Sequence, residues 1–405
     1  MNLQNYDVTE MLYQSSTTEV HRVREKVSGE KAVIKILRSK HPSTIKVAKF
    51  KQEFEILNYF SENQNKSVIK PLDMFFEDHL WIMVLEDFGG VSLSRHNLAG
   101  TLSVDSFLGI ALQLTEILES VHNSDIIHCD INPSNILINP ETKEIKLIDF
   151  NIATPFLRVE TSFQHPNKLE GTLAYISPEQ TGRMNQSIDF RSDLYSLGVT
   201  LYELATGVKP FISEDQLELI YNQIALNPES PARHKPDFPE IICQILLKLM
   251  AKDANDRYQS VRGLKADLLT CSNGVKNAVP METFPLGRED QTGTLQLPRK
   301  LYGRDQEVNL LLESYRLTLD GEKAMVTISG LPGVGKTSLV KEIHKPITRD
   351  KGFFLSGKFD QHKRNTPYFA FIKTMESFVQ MIMVEDPSLL NDWKERWRIM
   401  ASLSQ

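Results

Sequence analysis

The chain has 405 residues, of which 41% are hydrophobic and 24% are charged. These proportions are typical of soluble globular proteins and exclude wholesale disorder, and the length predicts two or three domains with cores of their own. The net charge of −6, from 46 basic and 52 acidic side chains, argues against a broad nucleic-acid surface or a polybasic membrane anchor. We therefore expect no nucleic-acid partner and no membrane partner.

The predicted cellular location is the cytoplasm. Cys129, Cys243 and Cys271 form no C-x-x-C pair, which suits a reducing compartment. The first residues lack the basic and apolar stretches of a signal peptide. The longest apolar stretch, roughly Ile241–Ala251, is far shorter than the ~20 residues that a membrane span needs.

The first 90 residues are predicted to form a small β-rich lobe with one helix. Strand-like segments include Lys31–Leu37 and Leu80–Leu85. Between them, apolar side chains from Val47 to Leu57 recur at helical spacing and fall on one face.

Beyond Gly90 the pattern becomes helical. The segments Phe107–His122, Asp193–Thr206 and Ile241–Met250 are predicted to be helices. The first unit therefore has an α+β fold with a small sheet lobe followed by a larger helical lobe.

Residues 271–299 carry Gly, Pro, Asn and Thr without periodicity and are predicted to be a linker. A second unit follows, in which Asp305–Leu319 is predicted as a helix and Ala324–Ser329 as a strand. A glycine-rich turn and a helix at Thr337–His344 come next, which is the opening of a parallel α/β fold. The stretch from Gly330 onward is too short for a complete doubly wound domain, so we expect only its front part.

Five residues of the first unit occur in the order and spacing that phosphoryl transfer from ATP requires. We assign Lys35 to the α- and β-phosphates, Glu53 to a pair with Lys35, and Asp130 to the proton of the acceptor hydroxyl. Asn135 and Asp149 stand where two Mg²⁺ ligands belong. The transition state spreads negative charge, which an ammonium, Mg²⁺ and oriented carboxylates neutralise. Each residue alone is most simply a surface charge, but coincidence does not explain the ordered set.

Residues further along would hold the segment that positions the acceptor. Gly171–Glu179 is predicted to close an activation segment, and Asp193 to open a buried helix. Arg257 is predicted to pair with Glu179 and so lock the base of that segment.

With these motifs in place, residues 10–270 resemble the protein kinase fold. The resemblance implies a kinase domain at 7–270, with lobes of about 7–88 and 89–270. After the linker it implies a partial P-loop NTPase domain at 300–405.

The resemblance further implies an ATP-dependent serine/threonine protein kinase that acts in signal transduction with Mg²⁺ as cofactor. Its partner would be a protein that offers a Ser or Thr acceptor. Val20, Val33 and Glu86 then join the residues above as candidate nucleotide contacts. The preference for Ser/Thr over Tyr rests on the family and on Gly171–Thr172 in the segment.

Two stretches, His128–Asn135 and Glu170–Gly182, resemble more narrowly the kinase module that opens large bacterial hybrid signalling proteins. In that family an AAA-like, STAND-type ATPase follows, and then a GAF-type sensor and a histidine kinase. The segments Leu301–Asp305 and Ser356–Gln361 match such an ATPase. Sensor and histidine-kinase modules are therefore candidate partners.

Some positions depart from the kinase pattern in ways that predict weaker catalysis. Tyr13, Ser15 and Thr18 stand where glycines normally cover the phosphates, and side chains there hinder close backbone approach. Hydroxyl donors from Ser and Thr would offset part of this loss. Asn132 replaces a lysine that touches the transferred phosphate, which would cost about 1–3 kcal/mol of transition-state stabilisation.

Cys129 replaces an arginine that normally pairs with a phosphorylated activation segment. We therefore expect activity that does not depend on phosphorylation at Thr161, Ser162 or Thr172. These departures leave two hypotheses: an active kinase, or a pseudokinase that acts as a nucleotide-binding regulatory module coupled to a STAND-type switch. Mg²⁺-dependent phosphate labelling separates the two.

The second unit carries a phosphate-loop pattern, G-x-x-x-x-G-K-[ST], between a predicted strand and a predicted helix. Gly330, Gly333 and Gly335 would let backbone N–H groups surround the phosphates at a helix N-terminus. Lys336 would reach the β- and γ-phosphates, and Thr337 would bind Mg²⁺.

Hydrolysis at this loop needs a carboxylate that follows a later strand. The tail beyond Phe371 offers Glu376, Glu385, Asp386 and Asp392, and none of them follows an apolar strand of that kind. We therefore expect the second unit, taken alone, to bind nucleotide poorly and not to hydrolyse it.

Overall fold

The computed structural model divides into two compact units, one that ends at Pro298 and one that begins at Arg299, apart from short stretches between 164 and 186 that group with the second. The residues it describes are 5–15, 17–38, 42–96, 98–155, 171–183, 188–277, 283–290, 303–331, 334–341, 343, 346–347, 355, 357, 368, 370–372 and 374–375. Each unit is described by itself below.

The N-terminal lobe is an antiparallel five-stranded sheet with one helix. The strand order is β1-β2-β3-β5-β4. The strands are β1 (Tyr6–Gln14), β2 (Thr18–Glu25), β3 (Lys31–Leu37), β4 (Pro71–Glu77) and β5 (Leu80–Glu86). The two strands predicted from the sequence are confirmed, and β5 is one residue longer than predicted.

Helix α1 (Thr44–Glu62) brings the predicted apolar face to the core. Its first turn is capped by Ser43, whose side chain accepts a hydrogen bond from the backbone N–H of Lys46. Phe50 and Leu57 are buried on this face, which also carries Glu53 at 2% exposure. The apolar stripe therefore places a carboxylate inside the lobe.

The C-terminal lobe is built from helices around the core that α1 also joins. The helices are α2 (Val104–His122), α3 (Phe190–Thr206), α4 (Gln216–Ala225), α5 (Glu240–Leu249) and α6 (Val261–Lys276). The lobe also contains the short strands β6 (Val91–Ser92), β7 (Ile126–Ile127), β8 (Ile136–Ile138), β9 (Ile145–Leu147) and β10 (Thr154–Pro155). They form the sheets β6-β8-β9 and β7-β10. None of the described helices is long and apolar enough to cross a membrane.

Helix α3 begins earlier than predicted. Its N-cap is Asp189, which forms a capping box with Ser192, so the helix starts at Phe190 and Asp193 lies within its first turn. Gly207 ends the helix in a left-handed conformation with φ of 81°. The apolar pattern predicted only the part of the helix from Asp193 onward.

The predicted linker is partly structured. Helix α6 continues to Lys276, beyond the predicted domain end at 270, and Cys271 is buried in it. Residues 283–290, here called the C-terminal strap, return to the same lobe, where Phe284 and Leu286 pack against the core. The strap is irregular, so it shows none of the periodicity that would have predicted its burial.

The strap is fixed to the start of α6 by three hydrogen bonds. The backbone N–H of Gly287 donates to the carboxylate of Asp267 at 2.8 Å. Asp290 accepts from the backbone N–H of Gln259 at 2.7 Å and from the hydroxyl of Ser260 at 2.8 Å. A Cβ atom added to Gly263 would meet the Asp290 side chain at 2.5 Å, so the strap needs glycine there.

The second unit differs from prediction in its strand. Helix α7 (Asp305–Leu319) has the predicted bounds, and α8 is described from Lys336 to Lys341. The predicted strand Ala324–Ser329 is wrong: the segment is irregular, and Met325 is 93% exposed. A strand exists only through the ladder it shares with a neighbour, and no described residue supplies that ladder here.

We predict that Gly263→Ala lowers the free energy of unfolding by about 1–3 kcal/mol, because its methyl group displaces Asp290. In a chain that also carries Asp290→Gly, the same substitution is expected to stabilise α6 by up to about 1 kcal/mol, since alanine favours a helix more than glycine does. Urea unfolding of the four chains measures both effects. The same sign in both backgrounds would contradict the docked strap.

Candidate active site

Three charged side chains of the first unit meet in one buried cluster. Lys35 comes from β3, Glu53 from α1, and Asp149 from the loop after β9. The Nζ atom of Lys35 lies 2.7 Å from both carboxylate oxygens of Glu53 and 2.9 Å from Oδ1 of Asp149. Side-chain exposures are 12%, 3% and 28%, respectively. The structure therefore brings together residues that lie up to 114 positions apart.

The three groups of the cluster differ in how their surroundings shift their pKa values. Burial opposes the charge of Lys35, but the carboxylates of Asp149 and Glu53 outweigh it and raise the pKa of the amine. Burial raises the pKa of Glu53 to about 7, against the pull of the Lys35 ammonium. Burial also acts to raise the pKa of Asp149, but Lys35 holds that pKa below its ordinary value. Glu53 is therefore the member of the cluster that titrates near neutral pH.

Asp149 is held toward this cluster by the residue after it. Its backbone is left-handed, with φ of 67°, a conformation that costs a non-glycine residue about 1–2 kcal/mol. Phe150 is fully buried, with ring centroids 5.5 Å from Phe60 and 4.6 Å from His128. This packing offsets the strain and fixes the direction in which the aspartate points.

The loop that carries Asp130 is fixed by Asp193, a fully buried carboxylate of α3. Asp193 accepts hydrogen bonds from the backbone N–H groups of His128 at 2.9 Å and Cys129 at 2.8 Å. The imidazole of His122 lies 2.9 Å from the same carboxylate. Cys129 is left-handed, with φ of 67°, so Asp193 stabilises a strained backbone directly before Asp130.

Asp130 is held by its neighbours at both carboxylate oxygens. Oδ1 accepts the backbone N–H of Thr172, and Oδ2 accepts the side-chain amide of Asn135, each at 2.9 Å. The backbone N–H of Asp130 donates to Nδ1 of His128 at 3.2 Å, while Nε2 of His128 donates to the carbonyl of Ile148 at 3.1 Å. His128 therefore links the loop to the backbone of Ile148.

Asn132 has a role that the sequence did not indicate. Its side chain is 2% exposed and donates to the carbonyl of Asp130 at 3.1 Å and to the hydroxyl of Thr172 at 3.2 Å. Its own oxygen accepts the backbone N–H of Ser134 at 2.9 Å. The prediction that Asn132 only removes a phosphate contact is incomplete, because the side chain joins the loop to the activation segment.

The base of the activation segment is locked as predicted. The guanidinium of Arg257 binds both carboxylate oxygens of Glu179, at 2.7 and 2.8 Å, and both side chains are buried. Ser192 donates to the same carboxylate at 2.7 Å. The pair is fully desolvated and bidentate, which makes loss of either partner costly. Two of the sites assigned to phosphorylation, Thr161 and Ser162, lie outside the described residues.

The three additional candidate nucleotide contacts lie around the cluster. Val20 stands opposite Lys35 in the β2–β3 ladder, and Val33 lies two residues before it, both half-buried. The carboxylate of Glu86 binds the side chain of Lys146 and the backbone N–H of Lys70. The backbone N–H of Glu86 is also engaged, since it donates to the carbonyl oxygen of Lys70 at 2.9 Å.

The turn between β1 and β2 corrects one expectation. The hydroxyl of Ser15 accepts the backbone N–H groups of Thr17 at 3.2 Å and Thr18 at 3.0 Å. Ser15 therefore occupies the donors that a glycine-rich loop offers to phosphate, and the expected help from its hydroxyl is wrong. Tyr13 is 53% exposed.

The phosphate loop of the second unit folds onto its own backbone. The Nζ atom of Lys336 donates to the carbonyl oxygens of Gly330 at 2.7 Å and Leu331 at 2.8 Å. Gly335 has φ of 89°, a conformation open to glycine, and a Cβ on Gly330 would meet Val334 at 3.0 Å. Gly333, the side chain of Thr337 and the acidic residues beyond 371 named above lie outside the described residues.

The side chains of the first unit fit Mg²⁺, which prefers oxygen ligands. Asp149 offers a carboxylate, and the amide nitrogen of Asn135 is committed to Asp130, which leaves its oxygen for a metal. In the described part of the chain, no three His, Cys, Asp or Glu side chains form a metal-binding group. Two protein ligands suffice for Mg²⁺ where phosphates and water complete its shell.

Comparison with known proteins matches each unit to a family. Residues 6–269 match the protein kinase domain, and residues 300–401 match the AAA ATPase domain. The match to the first family covers well over half of the chain.

Among similar proteins is hybrid signal transduction histidine kinase G of Dictyostelium discoideum, 32% identical over 384 residues, covering 73% of this chain and 11% of that protein. Serine/threonine-protein kinase PrkC of Bacillus subtilis is 29% identical over 268 residues, 65% of this chain and 40% of PrkC. Serine/threonine-protein kinase PknB of Mycobacterium tuberculosis is 28% identical over 286 residues, 68% of this chain and 44% of PknB. The chain thus spans less than half the length of these relatives.

We predict a pH dependence from the buried Glu53. A carboxyl whose pKa rises from 4.5 to about 7 on folding contributes stability that is complete below pH 4.5 and is lost as the pH rises through 7. The free energy of unfolding of the wild type, relative to Glu53→Gln, should therefore fall by up to about 3 kcal/mol between pH 4.5 and 8.

Urea unfolding followed by circular dichroism at several pH values measures this difference. The matched control is Glu55→Gln on the same helix, where the side chain is exposed. A difference curve for Glu53→Gln that is flat, or as small as that of the control, would contradict the prediction.

Proposed function

The chain belongs to the protein kinase family, and we propose that it transfers the γ-phosphate of ATP to a serine or threonine hydroxyl of a protein substrate. The single observation that carries the proposal is the ammonium of Lys35 within 2.9 Å of both Glu53 and Asp149, on the fold that also holds Asp130. A family member without this convergence could not clamp a nucleotide.

In this proposal Lys35 binds the α- and β-phosphates, and Glu53 keeps its ammonium in place. Asn135 and Asp149 hold Mg²⁺, which when bound supplies positive charge to the phosphate oxygens. Val20, Val33 and Glu86 are the further proposed contacts of the nucleotide. The ammonium is thus in place before the transition state forms. It therefore stabilises the developing charge without any reorganisation of the site.

Asp130 receives the proton of the acceptor hydroxyl. Thr172 and Asn135 each donate to one of its oxygens, so the carboxylate is oriented and still has lone pairs for a hydroxyl. A carboxylate suffices as the proton acceptor, because phosphoryl transfer has a loose transition state in which the nucleophile is hardly charged.

Activity independent of activation-segment phosphorylation remains part of the proposal. Cys129 offers no positive charge to a phosphate, and the loop is instead held by Asp193, Asn132 and Thr172 through hydrogen bonds that involve no basic side chain. A phosphate on Thr172 would disturb its hydrogen bond to Asn132 rather than strengthen it.

We propose that the second unit, of the AAA ATPase type, binds nucleotide through Gly330, Gly333, Gly335, Lys336 and Thr337. Because PknB and PrkC are by name serine/threonine-protein kinases, while the relative from Dictyostelium is a hybrid histidine kinase, we place this chain in signal transduction. Protein substrates and sensor or histidine-kinase modules are its proposed partners. The cytoplasm is its proposed location, since the three cysteines are all buried thiols.

A second candidate is a regulatory module that binds nucleotide without transferring phosphate. The turn at Ser15 favours it, because that turn holds its own N–H donors and offers fewer of them to the phosphates. Such a module would act through its conformation or by recruiting a partner.

We predict that Asp130→Asn and Lys35→Met each lower phosphate transfer at least about 100-fold. The measurement is labelling of a generic protein substrate with radioactive ATP and Mg²⁺ by the full chain. Asp78→Asn is the control, since Asp78 is exposed and its left-handed backbone (φ of 49°) tolerates asparagine. Wild-type labelling no greater than that of Asp130→Asn would favour the regulatory module.

We predict that Ser15→Gly tightens binding of Mg·ATP about 3- to 10-fold, because the N–H groups of Thr17 and Thr18 become available to phosphate. Isothermal titration with a non-hydrolysable ATP analogue measures the change. The matched control is Ser28→Gly in the next hairpin, where the hydroxyl accepts the N–H of Glu30 at 3.1 Å. Equal affinities of Ser15→Gly and wild type would contradict the role given to Ser15.

A further inference from the structure

We propose that Gln180 is a positioning residue for Asp130, which it holds through the peptide group that joins Cys129 to Asp130. This proposal rests on the phosphate transfer proposed above. It concerns a side chain that takes no part in binding the nucleotide and lies in the Pro178–Thr181 turn of 3-10 helix.

The contacts of Gln180 use both ends of its amide. The nitrogen donates to the carbonyl oxygen of Cys129 at 2.7 Å. The oxygen accepts the backbone N–H of Ser177 at 2.9 Å and its hydroxyl at 3.0 Å. A side chain with these opposed bonds has one orientation, because rotating the amide by half a turn would place like groups together.

The peptide that Gln180 holds is the one that aims Asp130. The N–H of Cys129 is bound by Asp193 at 2.8 Å, and its carbonyl is bound by Gln180 at 2.7 Å. Cys129 has φ of 67°, so its backbone has a relaxed alternative to which it would return if either bond were lost. Since Asp130 is the next residue, rotation of this peptide would move its carboxylate away from the acceptor hydroxyl.

Gln180 stands on a rigid base. The preceding residue, Glu179, is bound on both oxygens by Arg257 and also by Ser192. Both Glu179 and Ser177 are buried. The position of Gln180 is therefore set by the core of the C-terminal lobe, and its amide transfers that fixed position to the loop.

Gln180 also supplies a connection between the loop and the segment that an arginine at position 129 would otherwise make. An arginine there would tie the loop to a phosphorylated segment, whereas the carbonyl of Cys129 is bound by a neutral amide of the segment. Gln180 binds that carbonyl from the segment side, and Asn132 adds a second tie through Thr172. The loop and segment are therefore joined by neutral hydrogen bonds that need no modification.

Gln180→Glu provides the sharpest test. The glutamate keeps the length of the side chain and can still accept from Ser177, but it places a carboxylate oxygen against the carbonyl of Cys129. We expect kcat of the full chain to fall about 10-fold at pH 8, with the KM for ATP and the melting temperature nearly unchanged.

The pH profile separates a positioning role from a merely structural one. When the glutamate is protonated it can donate to the Cys129 carbonyl as the amide does, so kcat of Gln180→Glu relative to wild type should rise as the pH is lowered toward the ordinary glutamate pKa of ~4.3. Ser177→Ala is the control, because it removes one bond to Gln180 and leaves the bond to Cys129. Its relative kcat should stay near that of wild type at every pH.

Hydrogen exchange distinguishes failure of this proposal from failure of the proposed function. In Gln180→Glu at pH 8 the peptide around Cys129 and Asp130 should exchange faster than in wild type, whether or not the chain transfers phosphate. Wild-type labelling equal to that of Asp130→Asn would overturn the function alone. Unchanged exchange, or a ratio of kcat values that does not vary with pH, would overturn the role of Gln180.

Discussion

One buried ammonium between two carboxylates determines the arrangement of the first unit. Lys35, Glu53 and Asp149 come from three separate elements, and none of the three can lose its partners without leaving a charge unpaired in the interior. The sheet, α1 and the loop after β9 are therefore held in one relative position. The cluster offers an ammonium to a polyphosphate and a carboxylate to a cation, which suits it to receive both together.

The part of this site that the sequence predicted consists of residues with fixed local spacing. Asp130 and Asn135 share one loop, and Glu53 lies on the face that the apolar residues of α1 define. The residue that sequence reasoning missed, Gln180, acts through a partner 51 positions away. Glutamine is a common surface residue, and only the fold shows which acceptor its amide meets.

The wrong expectations have the same origin. The apolar segment 324–329 has the composition of a strand, but a ladder depends on a neighbour that composition does not reveal. Ser15 was expected to donate to a ligand, and it instead binds the backbone of its own turn, as serine often does in short loops. Both cases concern a hydrogen bond whose partner lies outside the pattern used for prediction.

The C-terminal strap changes where the protein kinase domain can be separated from the rest of the protein. A polypeptide cut at position 270 would lose the last turns of α6 and uncover the apolar surface now shielded by Phe284 and Leu286. Exposed apolar surface of this kind promotes association and loss of solubility. A recombinant fragment meant to behave as a monomer should therefore retain every residue up to Asp290.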